Sequence, residues 1–303
     1  MAKSQTATQR DLATKPEPAA NAALAERQQT AVATASAEMF AADAGQGMEG
    51  ATAESFAIPF LSVLQSNSPQ VDEASGAAIE GARAGMFYEN VTGRLISGKP
   101  EGGGVRFVPC AYRRVFLRWG PRSGEGAGFK GEYLPEDVAA LRQRNEVVEV
   151  DGRLYFSEPD GSIKRGKDGS VLNDRLSDTR NHYVLLLNDD DGSWQQALLS
   201  LTSTQIKKSK TLMAALASVK MSGAAGMFTP PTFANVVRAT TLPESNEKGN
   251  WFGIRMEIVA RVDRAEVYAA AKVFRDSVVK GQVEVKYEEP APGGDGHNED
   301  KGF

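Results

Sequence analysis

Four side chains in one short stretch could work together on a ligand. If YRRVFLRW (112–119) is a strand, successive residues alternate between its faces. Arg113, Val115, Leu117 and Trp119 then lie on one face, and Tyr112, Arg114, Phe116 and Arg118 on the other. A row of aromatic, arginine, aromatic, arginine suits a single strand of nucleic acid: rings stack on bases while guanidiniums hold the phosphates between them. Each stacked base contributes roughly 1–3 kcal/mol, and the stacking tolerates any sequence because every base has a π-face. The competing reading is an amphipathic strand whose arginines reach solvent from a domain edge. The following loop, GPRSGEGAGFKGEY, adds Arg122, Phe129 and Lys130 in a glycine-rich setting that could close over a bound strand. Its GAGFKG segment (126–131) matches G-x-G-x-x-G in form only. No strand–helix–strand unit surrounds it and no Gly-Lys-Ser/Thr follows, so it reads as a loop and not as a nucleotide fingerprint.

Two further groups extend the candidate interface. Lys207, Lys208 and Lys210 fall in the first two turns of a helix predicted over 203–219. Cations there oppose the helix dipole by up to about 1 kcal/mol each, so their clustering suggests an anion, phosphate being the obvious one; the plain alternative is a solvated lysine face. Trp251, near Gly249 and Gly253, is placed either to stack on a base or to be partly buried.

Little in the chain points to catalysis. Asp189, Asp190 and Asp191 precede Gly192 between two apolar runs, where consecutive acids make a turn. The further clustered carboxylates of a two-metal nuclease are missing, as is any G-x-S-x-G motif. Cys110 is the single cysteine, so the chain can form no internal disulfide and no cysteine-based zinc site. That fits a reducing cytoplasm. His182 and His297 are the two histidines, too few for a histidine metal site. The expectation is a non-enzymatic protein with no cofactor and no metal. No apolar run approaches the roughly 20 residues of a membrane span, and the N-terminus has no signal-peptide core. The protein is expected to be soluble and cytoplasmic.

Strands must position these residues. VRFVP (105–109) and YRRVFLRW come first. VVEV and RLYF flank Asp151-Gly152, a two-residue hairpin turn. YVLLLN (183–188) and WQQALLSL (194–201) flank DDDGS, and FANVVRATTL (233–242) pairs with WFGIRMEIVARV (251–262). Helices are predicted over 135–144, over 203–219, and from Asp263 to Gly281, the last opened by a capping box with Glu266. The pattern implies a β-rich α+β fold, an OB-like antiparallel barrel or bent sheet with helical insertions and disordered termini. The expected organisation is a disordered arm (1–55), an OB-like nucleic-acid-binding domain (56–283) and an acidic flexible tail (284–303). Charge follows that division. The arm has four bases and seven acids, the tail two bases and six acids, and the body carries about three net positive charges. Such a tail can compete with nucleic acid for a basic groove, or place its last aromatic, Phe303, in a partner's pocket.

Together these features resemble the podovirus-type single-stranded DNA-binding proteins of phages: an OB-like body followed by an acidic tail ending in Phe. The segments IPFLSVLQSNSPQ (58–70), RFVPCAYRRVFLRWGPR (106–122), TRNHYVLLL (179–187) and ESNEKGNWFG (244–253) also resemble phage proteins associated with replication genes. The resemblance implies a protein that coats single-stranded DNA in replication or recombination. It further implies a tail in which Glu299, Asp300 and Phe303 dock on the phage polymerase or helicase; a tail swapped between protomers would imply a homodimer. The alternatives are a strand-annealing recombination protein and a virion or scaffold protein that binds no nucleic acid.

Overall fold

The computed structural model describes residues 39–41, 43–44, 46–51, 57–101, 103–121, 126–247 and 249–287. The chain divides into two units, Met1–Thr52 and Ala53–Phe303. The described part of the first is a few turns; the second carries the sheets.

Two long antiparallel strands form the spine: β4 (Val105–Trp119) and β8 (Arg175–Leu187), paired from Arg106↔Leu187 to Trp119↔Arg175. The strands predicted over 105–109 and 112–119 are therefore one bent strand. Pro109 lacks the N–H that a ladder needs, and a β-bulge between Pro109 and Ala111 absorbs the irregularity. The extra residue also exchanges the two faces of β4. Phe107 packs with Leu186 in one cluster, Cys110 with Tyr183 in another, and Phe116 with Leu176 back on the first face.

Each half of the spine recruits different neighbours, so the sheet branches. Beside the first half of β4 lies β12 (Asn235–Asn246), paired with β13 (Gly249–Arg261); beside the second half lies β5 (Phe129–Tyr133). β9 (Trp194–Thr202) runs along most of β8. The start of β8 pairs instead with β7 (Arg153–Phe156), itself joined to β6 (Val147–Val150) through a turn with Asp151 and Gly152 both at positive φ. The path β13-β12-β4-β8-β7-β6 is open at both ends. The fold is thus β-rich α+β with open antiparallel sheets and no closed barrel among the described residues. The sequence pattern does not separate out the small sheet of β1 (Leu61–Val63), β2 (Phe87–Glu89) and β3 (Leu95–Ile96), nor the hairpin of β10 (Met221–Gly223) and β11 (Gly226–Phe228).

Helices cover both faces. α1 (Pro135–Gln143) places Val138 and Leu141 over Phe116, Val147 and Leu176. α2 (Ile206–Ser218), preceded by a 3₁₀ turn over Ser203–Gln205, sets Leu212 and Leu216 against Phe107, Val184 and Leu199, with Leu61 and Phe87. α3 (Ala265–Val279) buries Val267, Ala271, Phe274 and Val278 against the opposite face. α3 begins two residues after the predicted cap: Arg264 stands at the N-cap and its side chain makes no capping bond, so the capping box at Asp263 does not form. After α3 the segment 282–287 lies on the body, with Val283, Val285 and Tyr287 packed on the α3 side of the sheet. Among the described residues no helix is long and apolar enough to cross a membrane.

Candidate nucleic-acid interface

The bulge decides which residues of β4 face α1 and α2. Beyond it Tyr112 lies opposite His182, Arg114 opposite Arg180, and Phe116 opposite Asp178. Tyr112, Arg114, Phe116 and Arg118 do share a face, but Phe116 is core, 6 % exposed beneath α1. It cannot stack on a base; it stacks under Arg114, whose guanidinium carbon sits 5.0 Å from the ring centre. Arg118 lies over Phe156 in the same way, at 3.8 Å. The aromatic–arginine row thus becomes two guanidiniums backed by rings, the aromatic partner of Arg118 coming from β7.

Carboxylates on and beside β8 hold those guanidiniums. Arg114 Nε and Nη2 donate to the two oxygens of Asp178 at 3.1 and 2.8 Å, a bidentate pair. Arg180 Nη2 donates to the same carboxylate at 3.0 Å, and its Nη1 to the Tyr112 hydroxyl at 3.0 Å. Asp174 is likewise shared: Arg118 Nε donates to one oxygen at 2.7 Å and Lys130 Nζ to the other at 2.6 Å. Among the described residues four cations therefore stand against two acids. The Tyr112 ring tilts against His182 at 5.2 Å, and His182 Nε2 lies 2.8 Å from Ser209 Oγ of α2. Burial, reinforced by the charge of Arg180, pushes the His182 pKa down to about 4, so the imidazole is neutral at pH 7.

The lysines predicted on α2 have divergent roles. Lys208 Nζ pairs with Glu244 at 2.7 Å, and the same carboxylate accepts the Trp251 indole N–H at 2.9 Å. The anion expected near this helix start is, for Lys208, a protein carboxylate. Gly253 leaves that carboxylate its place, since a Cβ there would push the end of the Glu244 side chain aside. Trp251 is half-buried in this latch between α2 and the β12–β13 hairpin, away from the arginine row. Lys207 and Lys210 are exposed.

Phe129 belongs to the opposite face. It packs on Trp119 and Tyr287 at 5.6 and 5.1 Å, while its neighbour Lys130 reaches Asp174 with the arginines. The Tyr287 hydroxyl donates to Glu132 at 2.8 Å and accepts from Asn181 Nδ2 at 2.6 Å. Burial and the nearby Glu132 charge keep that phenol protonated far above its usual range. Arg122, Glu299, Asp300 and Phe303 lie outside the described residues.

Asp174 and Asp178, four apart with His182, fit a helical face that the strand following them argues against, so neither they nor Arg180 is predicted from the sequence as a site residue. Their spacing holds the signal: read with a period of two, Asp174, Asp178, Arg180 and His182 fall on one face of a strand. Of the three acids after Asn188, Asp189 pairs with Arg106 at 2.7 Å and Asp191 accepts the Ser193 N–H at 2.8 Å, so two of them structure the β8–β9 turn.

Fold and site together define a class: a β-rich α+β protein on a branched antiparallel sheet, with an arginine row on one face. The chain belongs to the Pam3 phage gp34-like protein family, whose match runs over residues 26–284, and is accordingly a bacteriophage protein. Comparison with curated proteins and with solved structures finds no match.

Proposed function

We propose that this phage protein binds single-stranded DNA, without enzymatic activity, through the β4–β8 face during replication or recombination in the host cytoplasm. One observation carries the reading: among the described residues Arg114, Arg118, Arg180 and Lys130 share two acids, Asp174 and Asp178, which leaves surplus positive charge on one face of β4, β8 and β5. Arg114, Arg118 and Lys130 retain side-chain exposures of 40, 31 and 34 %, so phosphates can reach them. Ring-backed guanidiniums are also planes on which an unstacked base can lie. The OB-like description belongs to this proposal. Its support is that the segment around the β1–β3 sheet touches two outer strands of the larger one, through a Phe60–Leu198 bridge on β9 and through Gln65, which bonds the backbone of Phe252 on β13.

The test is a fluorescence-anisotropy titration of labelled oligo-dT and of duplex DNA at two salt concentrations. Tight, salt-sensitive binding to the single strand with weak binding to the duplex is expected, and Arg114→Ala with Arg118→Ala should abolish most of it. Absence of single-strand binding at low salt would sink the reading. A second reading, a structural or assembly protein of the phage, draws on the β10–β11 hairpin, where Met221, Met227 and Phe228 are exposed. It predicts no salt-dependent DNA binding at all.

A further inference from the structure

Arg180 departs from what buried cations normally show. The residue is 9 % exposed, and its Nε is buried with no hydrogen-bond partner. Buried charges in proteins are ordinarily paired and fully hydrogen-bonded, because leaving a donor unmet in a low dielectric is costly. Here the pairing is partial. Arg180 is ion-paired with Asp178 through one oxygen, Oδ2, and Arg114 takes that same oxygen at 2.8 Å. Its other hydrogen-bond partner among the described residues is neutral, the Tyr112 hydroxyl, and the His182 imidazole beside that ring is uncharged and faces Ser209. α2, which packs alongside through Ser209, brings lysines on either side of that serine and no acid in its first turn. Among the described residues two guanidiniums thus share one carboxylate, leaving one positive charge uncompensated, with Arg180 buried and Arg114 partly exposed beside it.

We infer that Arg180 is the fixed centre of a phosphate-type anion site, in which Arg114 swings from Asp178 to close over the bound oxygens while Arg180 stays in place. The roles follow from exposure: Arg114 is 40 % exposed and can move, whereas Arg180 is held by Tyr112 and Asp178. A phosphate group suits the pair better than a second carboxylate. Its additional oxygens can accept from two guanidinium forks at once. The inference deepens the single-strand reading, on which it rests for the source of phosphate, and it names Arg180 as a residue that fixes where along β4 the DNA backbone sits.

The test uses the full chain in two arms. The first repeats the oligo-dT titration over a salt series for the wild type, Arg180→Met and Arg180→Lys. Arg180→Met should weaken binding about tenfold and make the log–log salt dependence shallower by about 1. Arg180→Lys should keep the slope and lose affinity, since a point charge replaces a fork. Equal affinity and slope in wild type and Arg180→Met would overturn the inference and leave the single-strand reading standing. The second arm measures thermal melting with inorganic pyrophosphate. A rise in Tm for the wild type that is lost in Arg180→Met, without oligo-dT binding, would keep the anion site and overturn the DNA reading. Stabilisation by a peptide of residues 288–303, with none by pyrophosphate, would overturn the phosphate assignment. Unliganded melting of each variant separates loss of the site from loss of the fold. Should Arg180→Met not fold, Arg180→Lys carries both arms: unchanged affinity and an unchanged pyrophosphate effect would count against the inference.

Discussion

At the scale of single residues, the acids govern the site as much as the arginines do. Asp178 holds Arg114 and Arg180 in place and also cancels one of their charges. Asp178→Asn keeps the shape and removes the charge. On the proposed reading it should tighten single-strand binding and steepen its salt dependence by about 1 in log–log slope. Weaker binding in the same titration would show that the aspartate serves by ordering the guanidiniums, not by restraining them. His182 gives a separate prediction. Its pKa falls from 6.5 in an exposed chain to about 4 in the fold. Between those values the unfolded state binds the extra proton, so stability rises with pH across this window and is lost as pH falls through it. The loss should approach roughly 3 kcal/mol by pH 4. Urea melts at pH 4.5 and pH 7 check this, and His182→Gln should flatten the difference. An equally steep profile in that variant would assign the effect to other groups.

At the scale of elements, the β12–β13 hairpin is tied to α2 by one carboxylate. Glu244 accepts from both Lys208 and Trp251, and Gly253 leaves it the room to do so. Gly253→Ala should displace that carboxylate, weaken its bonds to Lys208 and Trp251 at a cost of up to about 1 kcal/mol in stability, and alter Trp251 fluorescence. An unchanged melt and emission spectrum would mean the hairpin shifts freely around the added methyl. The same element scale shows what a sequence can and cannot disclose. The β6–β7 turn was readable because Asp-Gly fits two consecutive positive-φ positions. The alternation of 112–119 was readable too, and it put the right four residues on one face. It could not reveal that α1 returns to cover Phe116, because which layer covers a face is set by long-range packing. The bulge at Cys110 left no signal either: a small residue after a proline looks the same in a strand or a break. Along 283–287 the order Val-Glu-Val-Lys-Tyr has the period of a half-buried extended segment, and its odd-numbered residues do pack. Net acidity of the whole tail masked that local pattern.

At the scale of the whole molecule, the question is how charge is divided between the body and the C-terminal stretch. Beyond Tyr287 the sequence holds Glu288, Glu289, Asp295, Glu299 and Asp300 against Lys301. Up to Tyr287 the chain is secured through Phe60, Phe129, Glu132 and Asn181, on the opposite face from the arginine row. Deleting from Glu284 would therefore remove a packed tyrosine and confuse a stability effect with an electrostatic one. The informative truncation begins at Glu288. If the acidic stretch competes with DNA for the arginines, removing 288–303 should tighten oligo-dT binding several-fold at low salt. The difference should shrink as salt rises, since screening weakens attraction between charges separated by more than about 10 Å at 0.1 M. Adding the stretch back as a free peptide should restore the weaker binding only at high peptide concentration, because tethering supplies an effective concentration of the order of millimolar. Truncation that leaves affinity unchanged at every salt concentration would rule out competition. Glu299, Asp300 and Phe303 would then be left with recruitment of a replication partner as their proposed role, and binding of the phage polymerase or helicase by full-length but not truncated protein would decide that part separately.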